Sequence, residues 1–194
     1  VHGGEGRRVR AGIHYAAVNL AGSALLLLAV GLLYGVAGTL NMADLARVLP
    51  GLPAADQGLV RASALLLLVV FSLKAALLPL YGWLPGTYSV AIPAVAALFA
   101  VLTKVGVYAI ARVHTLVFGG DGSSTAYLDP GPVLVPLGLA TVAAAALGVL
   151  ASRDLGRQVS YLVVASAGTL LATLGLGTPA ALAAAFFYLG HTTL

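Results

Sequence analysis

The chain contains no cysteine, which excludes disulfides and thiolate metal sites. Charge is scarce too: Asp, Glu, Lys and Arg together make up 8% of its 194 residues. The six acidic residues, Glu5, Asp44, Asp56, Asp121, Asp129 and Asp154, all fall outside the long apolar stretches, so no such stretch carries a carboxylate. The four histidines are scattered without a ligand spacing such as H-x-x-x-H, and neither a metal nor another cofactor is expected. A net charge of +4 comes with no cationic stripe or aromatic platform. Most of the arginines flank apolar segments, where they report topology, and no nucleic-acid partner is expected. An enzyme is the least supported class, because no apolar segment carries a nucleophile–base pair or a metal-ligand cluster.

What the sequence has in abundance is apolar length. With 60% hydrophobic residues and a mean hydropathy of +1.03, it has too little polar surface to cover a water-soluble globule, so its solvent is a lipid bilayer. A helix crosses that bilayer in roughly 20 residues. Stretches of this kind lie at about 13–37, 62–84, 89–112, 131–151 and 158–177, with a sixth from about 179 to Leu194. The expected fold is all-α, a polytopic transmembrane bundle of about six spans forming one membrane domain over 1–194. The chain begins at Val1 without an initiator Met and stops inside an apolar run, so it is expected to be a piece of a longer protein. "VHGGEGRRVR" is too charged for a signal peptide and reads as a loop entering the first span.

The connections differ in kind. Asn41 and Asp44 precede a short amphipathic turn and two prolines, which predicts a surface helix and loop over 38–58. Residues 118–132 form a turn-rich loop, and 151–158 a short polar hairpin. Loop parity puts Arg7, Arg8, Arg10, Arg153 and Arg157 on one side and Arg47, Arg61 and Arg112 on the other. The positive-inside rule makes the first side cytoplasmic.

Two charges do not fit a plain membrane segment. Lys74, in "LLLLVVFSLKAALLPLYGWLP", and Lys104 both lie well inside predicted spans. Each costs about 2.5–3.5 kcal/mol on insertion scales and needs a protein-lined or watered site. Lys74 is roughly 15–18 Å from either helix end, too far for its stem to reach a headgroup. If spans two and three are antiparallel, Lys74 lies about 18 Å and Lys104 about 12 Å below the same surface, so the pair can share one polar layer. The bland alternative is two unrelated lysines buried by packing. With no carboxylate in the spans, their partners must come from elsewhere, or they spend time neutral.

Pro79 removes the backbone donor that would close onto Ala75, and so marks a helix break beside Lys74. Discontinuous helices near the midplane are the usual construction of transporter ion sites, although a simple proline kink remains the alternative. Pro85 and Pro93 read as turn and early-helix residues, and Trp83 and Tyr88 as interfacial aromatics. His191, about 12 residues into the last segment, is a candidate proton carrier or a histidine hydrogen-bonded within the bundle. His14 sits too near its helix end to rank with it.

Residues 71–113, "FSLKAALLPLYGWLPGTYSVAIPAVAALFAVLTKVGVYAIARV", resemble the signature region of the proton-translocating antiporter-like membrane subunits shared by respiratory complex I and the multisubunit Mrp (Pha, Mnh) cation/proton antiporters. "NLAGSALLLLAVGLLYGVAGTLNMADLA", "VSYLVVASAGTLLATLGL" and "FFYLGHTTL" are most similar to the D-type branch of the Mrp subunits. The resemblance implies an inverted-repeat antiporter fold of which this chain holds the central part. It implies that Lys74 is the protonatable lysine of the first broken helix, that Lys104 continues the proton path and that His191 belongs to the same hydrophilic axis. It places the glutamate partner of Lys74 in a helix before Val1, and a second broken helix beyond Leu194. The family often has a second basic residue shortly after the histidine position, which the chain ends too early to include. The implied activity is exchange of sodium or another monovalent cation for protons in the bacterial cytoplasmic membrane. The implied partners are the other antiporter subunits. A redox-driven pump subunit of complex I or a hydrogenase is the alternative within transport; a non-transporting scaffold subunit is the alternative outside it.

Overall fold

The computed structural model describes residues 6–119 and 129–193. Glu5, Asp121, Leu194 and most of the loop expected at 118–132 lie outside the described residues, as does the Arg7 side chain. Among the described residues every regular element is helical.

Helix α1, Gly6–Ala37, starts seven residues before the predicted span, because the arginine-rich entry contains good helix formers and no proline. Helix α2, Met42–Val48, is capped by Asn41, whose side-chain oxygen accepts from the Ala43 N–H at 2.9 Å. Helix α3, Gln57–Lys74, is followed by an interruption and then by the short helix α4, Trp83–Tyr88. Helix α5, Pro93–Leu116, begins four residues later than the predicted third span: Ile92 precedes a proline and is extended, with φ −68° and ψ 148°. Helix α6 is Gly131–Ala151 and helix α7 is Leu155–Gly175, so the polar hairpin between them shrinks to three residues. Helix α8, Pro179–His191, is capped by the Thr178 hydroxyl, which accepts from the Ala181 N–H at 3.2 Å.

Helices α1, α3, α5, α6 and α7 are long and apolar enough to cross a membrane; α8, with 13 residues, is shorter. Lipid tails are as apolar as leucine, so helices in a bilayer associate by close packing of small residues rather than by hiding from water. The α6–α7 pair is built this way. A Cβ on Gly138 would lie 2.6 Å from the Ala172 nitrogen, and one on Gly168 would lie 2.9 Å from the Gly138 carbonyl oxygen. Around this pair α1 packs on α3 and α4, α5 on α3 and α7, and α8 on α7.

One core cluster joins Ala29 and Leu33 of α1, Leu45 of α2, Val60, Ala64 and Leu67 of α3, and Phe118 just after α5. His114 lies beside it, 3% exposed, with its ring 5.6 Å from that of Phe118 and neither ring nitrogen hydrogen-bonded among the described residues. Two unmet polar atoms in such a place are destabilising, by about 1–3 kcal/mol per group. His114→Leu in the full-length protein should therefore raise the thermal midpoint by at least about 2 °C. Circular dichroism in detergent measures this; a lowered midpoint would mean that a buried water or another segment already satisfies the ring.

Candidate functional site

The interruption after α3 is a closed hydrogen-bonded structure. Ala75 caps the helix and Ala76 takes the left-handed conformation, φ 59°. The Leu77 N–H donates to the Ser72 carbonyl at 3.0 Å, and the Ala76 N–H to the Leu73 carbonyl at 3.3 Å. This is the Schellman ending, here with alanine where glycine would be unstrained. Further on, the Leu78 N–H donates to the Thr141 hydroxyl on α6 at 2.9 Å, the Leu78–Pro79 peptide is cis, and a single 3₁₀ turn, Leu80–Gly82, leads into α4. The Trp83 indole N–H donates back to the Leu73 carbonyl at 3.0 Å. Backbone groups freed at membrane depth are thus met by side chains of neighbouring elements, the condition for a break inside a bilayer. Pro79 lies within this interruption, while the α-helix itself ends five residues earlier, at Lys74.

Lys74 is therefore a helix-terminal residue. Its half-buried ammonium sits in the last turn of α3, where the negative end of the helix dipole favours a cation. It donates to the Oδ1 of Asn19 on α1. The Asn19 Nδ2 in turn donates to the Tyr15 carbonyl at 2.8 Å. Helix α5 presses on the break from another side. A Cβ on Gly106 would lie 2.8 Å from the Ala75 nitrogen and 3.1 Å from the Lys74 Cβ. Gly106 is thus level with the break, and Lys104, two residues earlier, lies about 3 Å further along α5.

Lys104 is 7% exposed and turns the other way. Its ammonium donates to the Ser166 hydroxyl on α7 at 3.0 Å and to the Thr192 hydroxyl at the end of α8, and it lies 5.8 Å from the centre of the Tyr188 ring. The Thr192 hydroxyl is oriented by donating to the Tyr188 carbonyl at 2.8 Å. Lys104, Ser166, Tyr188, His191 and Thr192 line one cleft of about 560 Å³. His191 is exposed on its wall, stacked on Phe187 at 6.5 Å, and makes no hydrogen bond among the described residues. The structure thus brings Lys104 and His191 to one cleft. Lys74 faces α1, and no hydrogen bond among the described residues joins the two lysines.

Reasoning from the sequence looked for carboxylate partners and so passed over Asn19, Ser166 and Thr192. Asn19 was visible as the one carboxamide in an otherwise apolar α1 span. Ser166 and Thr192 carried no such signal, because hydroxyls recur throughout the later helices. Trp83 and Tyr88, read as interfacial, are buried, and with Tyr15 and Phe99 they form an aromatic cluster under the break. His14, Arg8, Arg10, Asp154 and Arg157 share a separate cleft of about 1070 Å³ at one end of the bundle, which gathers three arginines that loop parity had grouped.

Residues 2–193 match the family profile described as NADH:quinone oxidoreductase/Mrp antiporter, TM. The chain is 51% identical over its whole length to the D-type component of a probable K(+)/H(+) antiporter of Rhizobium meliloti, of which it covers 36%. It is 40% identical, again over its whole length, to the D-type component of the Na(+)/H(+) antiporter of Bacillus subtilis, of which it covers 38%. It thus spans little more than a third of these relatives. Among solved structures, 95% of the chain superposes on 33% of a chain in the Mrp complex from Dietzia sp. DQ12-45-1b, with a TM-score of 0.82 and 34% identity. A chain of the membrane-bound sulfane sulfur reductase, an archaeal respiratory membrane complex, matches 99% of it with a TM-score of 0.88 and 27% identity, 38% of that chain being covered.

The approach of α5 to the break gives a direct test. In the full-length protein Gly106→Ala should lower the thermal midpoint by roughly 1–3 °C, the effect of about 1–3 kcal/mol of overpacking against backbone that cannot yield. Gly86→Ala, where a Cβ meets open space, serves as the control and should change little.

Proposed function

The chain belongs to the NADH:quinone oxidoreductase/Mrp antiporter transmembrane family, and on that premise we propose that it is the proton-translocating core of the D-type component of a bacterial multisubunit monovalent cation/proton antiporter. This component is multi-pass in the cytoplasmic membrane and works within a complex of other antiporter subunits. The carrying observation is that both lysines of the chain put their ammonium groups on neutral oxygens of other helices, one beside an interrupted helix and one on a cleft wall. An ammonium held this way is stabilised but not neutralised. It can release its proton when a cation approaches or a carboxylate withdraws.

In this reading protons pass along a hydrated layer from Lys74 to Lys104 and onward through the cleft that His191 lines. The distance of Lys74 from a carboxylate supplied by another part of the full-length protein sets its protonation. The complex exchanges cytoplasmic sodium or potassium for incoming protons; the relatives' names divide between these two cations, so both belong in the assay.

A second reading, a redox-driven pump component, is favoured by the likeness to the archaeal respiratory complex. The neighbouring genes separate the two: small Mrp-type subunits support the antiporter, and quinone or iron–sulfur subunits the pump.

In everted vesicles carrying the whole complex, Lys74→Ala and Lys104→Ala should each reduce antiport, followed by a pH-sensitive dye on addition of NaCl or KCl, to the background without the complex. Assembly on a native gel should persist. Full antiport in either variant ends the relay reading, and loss of assembly alone points to a scaffold.

A further inference from the structure

The orientation of one side chain on α1 is determined from both of its ends. The Asn19 carboxamide donates through Nδ2 to the Tyr15 carbonyl at 2.8 Å and accepts through Oδ1 from the Lys74 ammonium. Turning the amide over would set its NH₂ against an ammonium and its oxygen against a carbonyl, two repulsive contacts in place of two bonds. Asn19 therefore presents only an acceptor to Lys74.

The support behind it is closely packed. The Tyr15 ring packs on Trp83, with centroids 5.7 Å apart, and on Phe99, 5.0 Å apart. Trp83 is itself bonded to the Leu73 carbonyl at the end of α3. One turn along α1 from Asn19, Gly22 is buried, and a Cβ there would lie 3.4 Å from the Leu73 side chain, which brings α1 within reach of the break. The contacts close a circuit from the end of α3 through Trp83 and Tyr15 to Asn19 and back to Lys74.

We propose that Asn19 is the positioning residue of Lys74: it holds the charged lysine toward α1 and selectively stabilises its ammonium form without the locking effect of a carboxylate. Bonds from an ammonium are roughly twice as strong as bonds between neutral groups, so an acceptor in this place favours the charged state over the free amine. Within about one turn of these contacts, the titratable groups on the packed elements are His14 and Tyr15 on α1, Tyr81 and Tyr88 around α4, and Lys104 and Tyr108 on α5; among the described residues none is a carboxylate. Lys104 is committed to Ser166 and Thr192 on its other side. The proposal rests on the reading of Lys74 as a protonatable transport group.

Its test is the alkaline limb of the antiport–pH profile, measured in everted vesicles with the whole complex. Asn19→Leu removes the acceptor, so the ammonium should be lost at lower pH and the limb should move in the acid direction by about one unit. Asn19→Asp puts a carboxylate in the same place and should move the limb in the alkaline direction. Opposite shifts support the proposal, since a merely structural residue would lower the rate without reversing the direction of a shift. If Asn19→Leu does not assemble on a native gel, the direction seen with Asn19→Asp decides alone. An unmoved limb, or shifts of the same sign, overturns it. Where Lys74→Ala abolishes antiport while the Asn19 limbs stay in place, Asn19 alone has been misread. Where Lys74→Ala transports fully, the reading of Lys74 has failed as well.

Discussion

A cation buried in a bilayer must be held by something, and within the described membrane helices that something is never a carboxylate. The four acidic residues described, Asp44, Asp56, Asp129 and Asp154, all sit outside the spans. Lys74 and Lys104 are met instead by a carboxamide oxygen, two hydroxyls, an aromatic ring and the end of a helix. Neutral acceptors are weaker than a salt bridge, so more of them are needed and they must be aimed. Asn19 and Thr192 are each aimed by the same device, a second hydrogen bond to a carbonyl one turn back in their own helix.

That requirement explains why the fold is interrupted where it is. Ending α3 at Lys74 supplies the negative end of a helix dipole, and the left-handed Ala76 turns the chain away before Pro79 can matter to the helix. The freed backbone is then met from two sides, by Thr141 on α6 and by Trp83 on α4. Thr141 can serve because the α6–α7 pair is packed tightly enough to act as a wall, with Gly138 and Gly168 letting the two backbones touch. Gly106 does the same on α5, so the helix carrying Lys104 rests directly on the break that carries Lys74.

The two lysines are thereby close in level but open to different surroundings. Lys74 looks toward α1 through Asn19, while Lys104 looks through the α5–α7 contact into the cleft shared with His191. The two ammonium groups therefore reach different elements, one the face of α1 and the other the α7–α8 side of the bundle. Helix α5 spans the two positions, with Gly106 against the break and Lys104 two residues away on the same helix.

Composition alone determined that the chain is a membrane protein, because so apolar a sequence has no other stable solvent, and runs of apolar residues marked the helices that cross it. The two lysines and the absence of carboxylates near them could likewise be counted, and counting was enough to pose the question of what holds the charges. Element ends were less legible. The start of α1 and the end of α3 depend on helix propensity, caps and a left-handed alanine, which an apolar run does not encode. Only the tertiary structure decided the answer to the question of the charges: the acceptors stand 55, 62 and 88 residues from the lysines they serve. Nothing local distinguishes an asparagine, a serine or a threonine that faces lipid from one brought by helix packing to the end of a lysine.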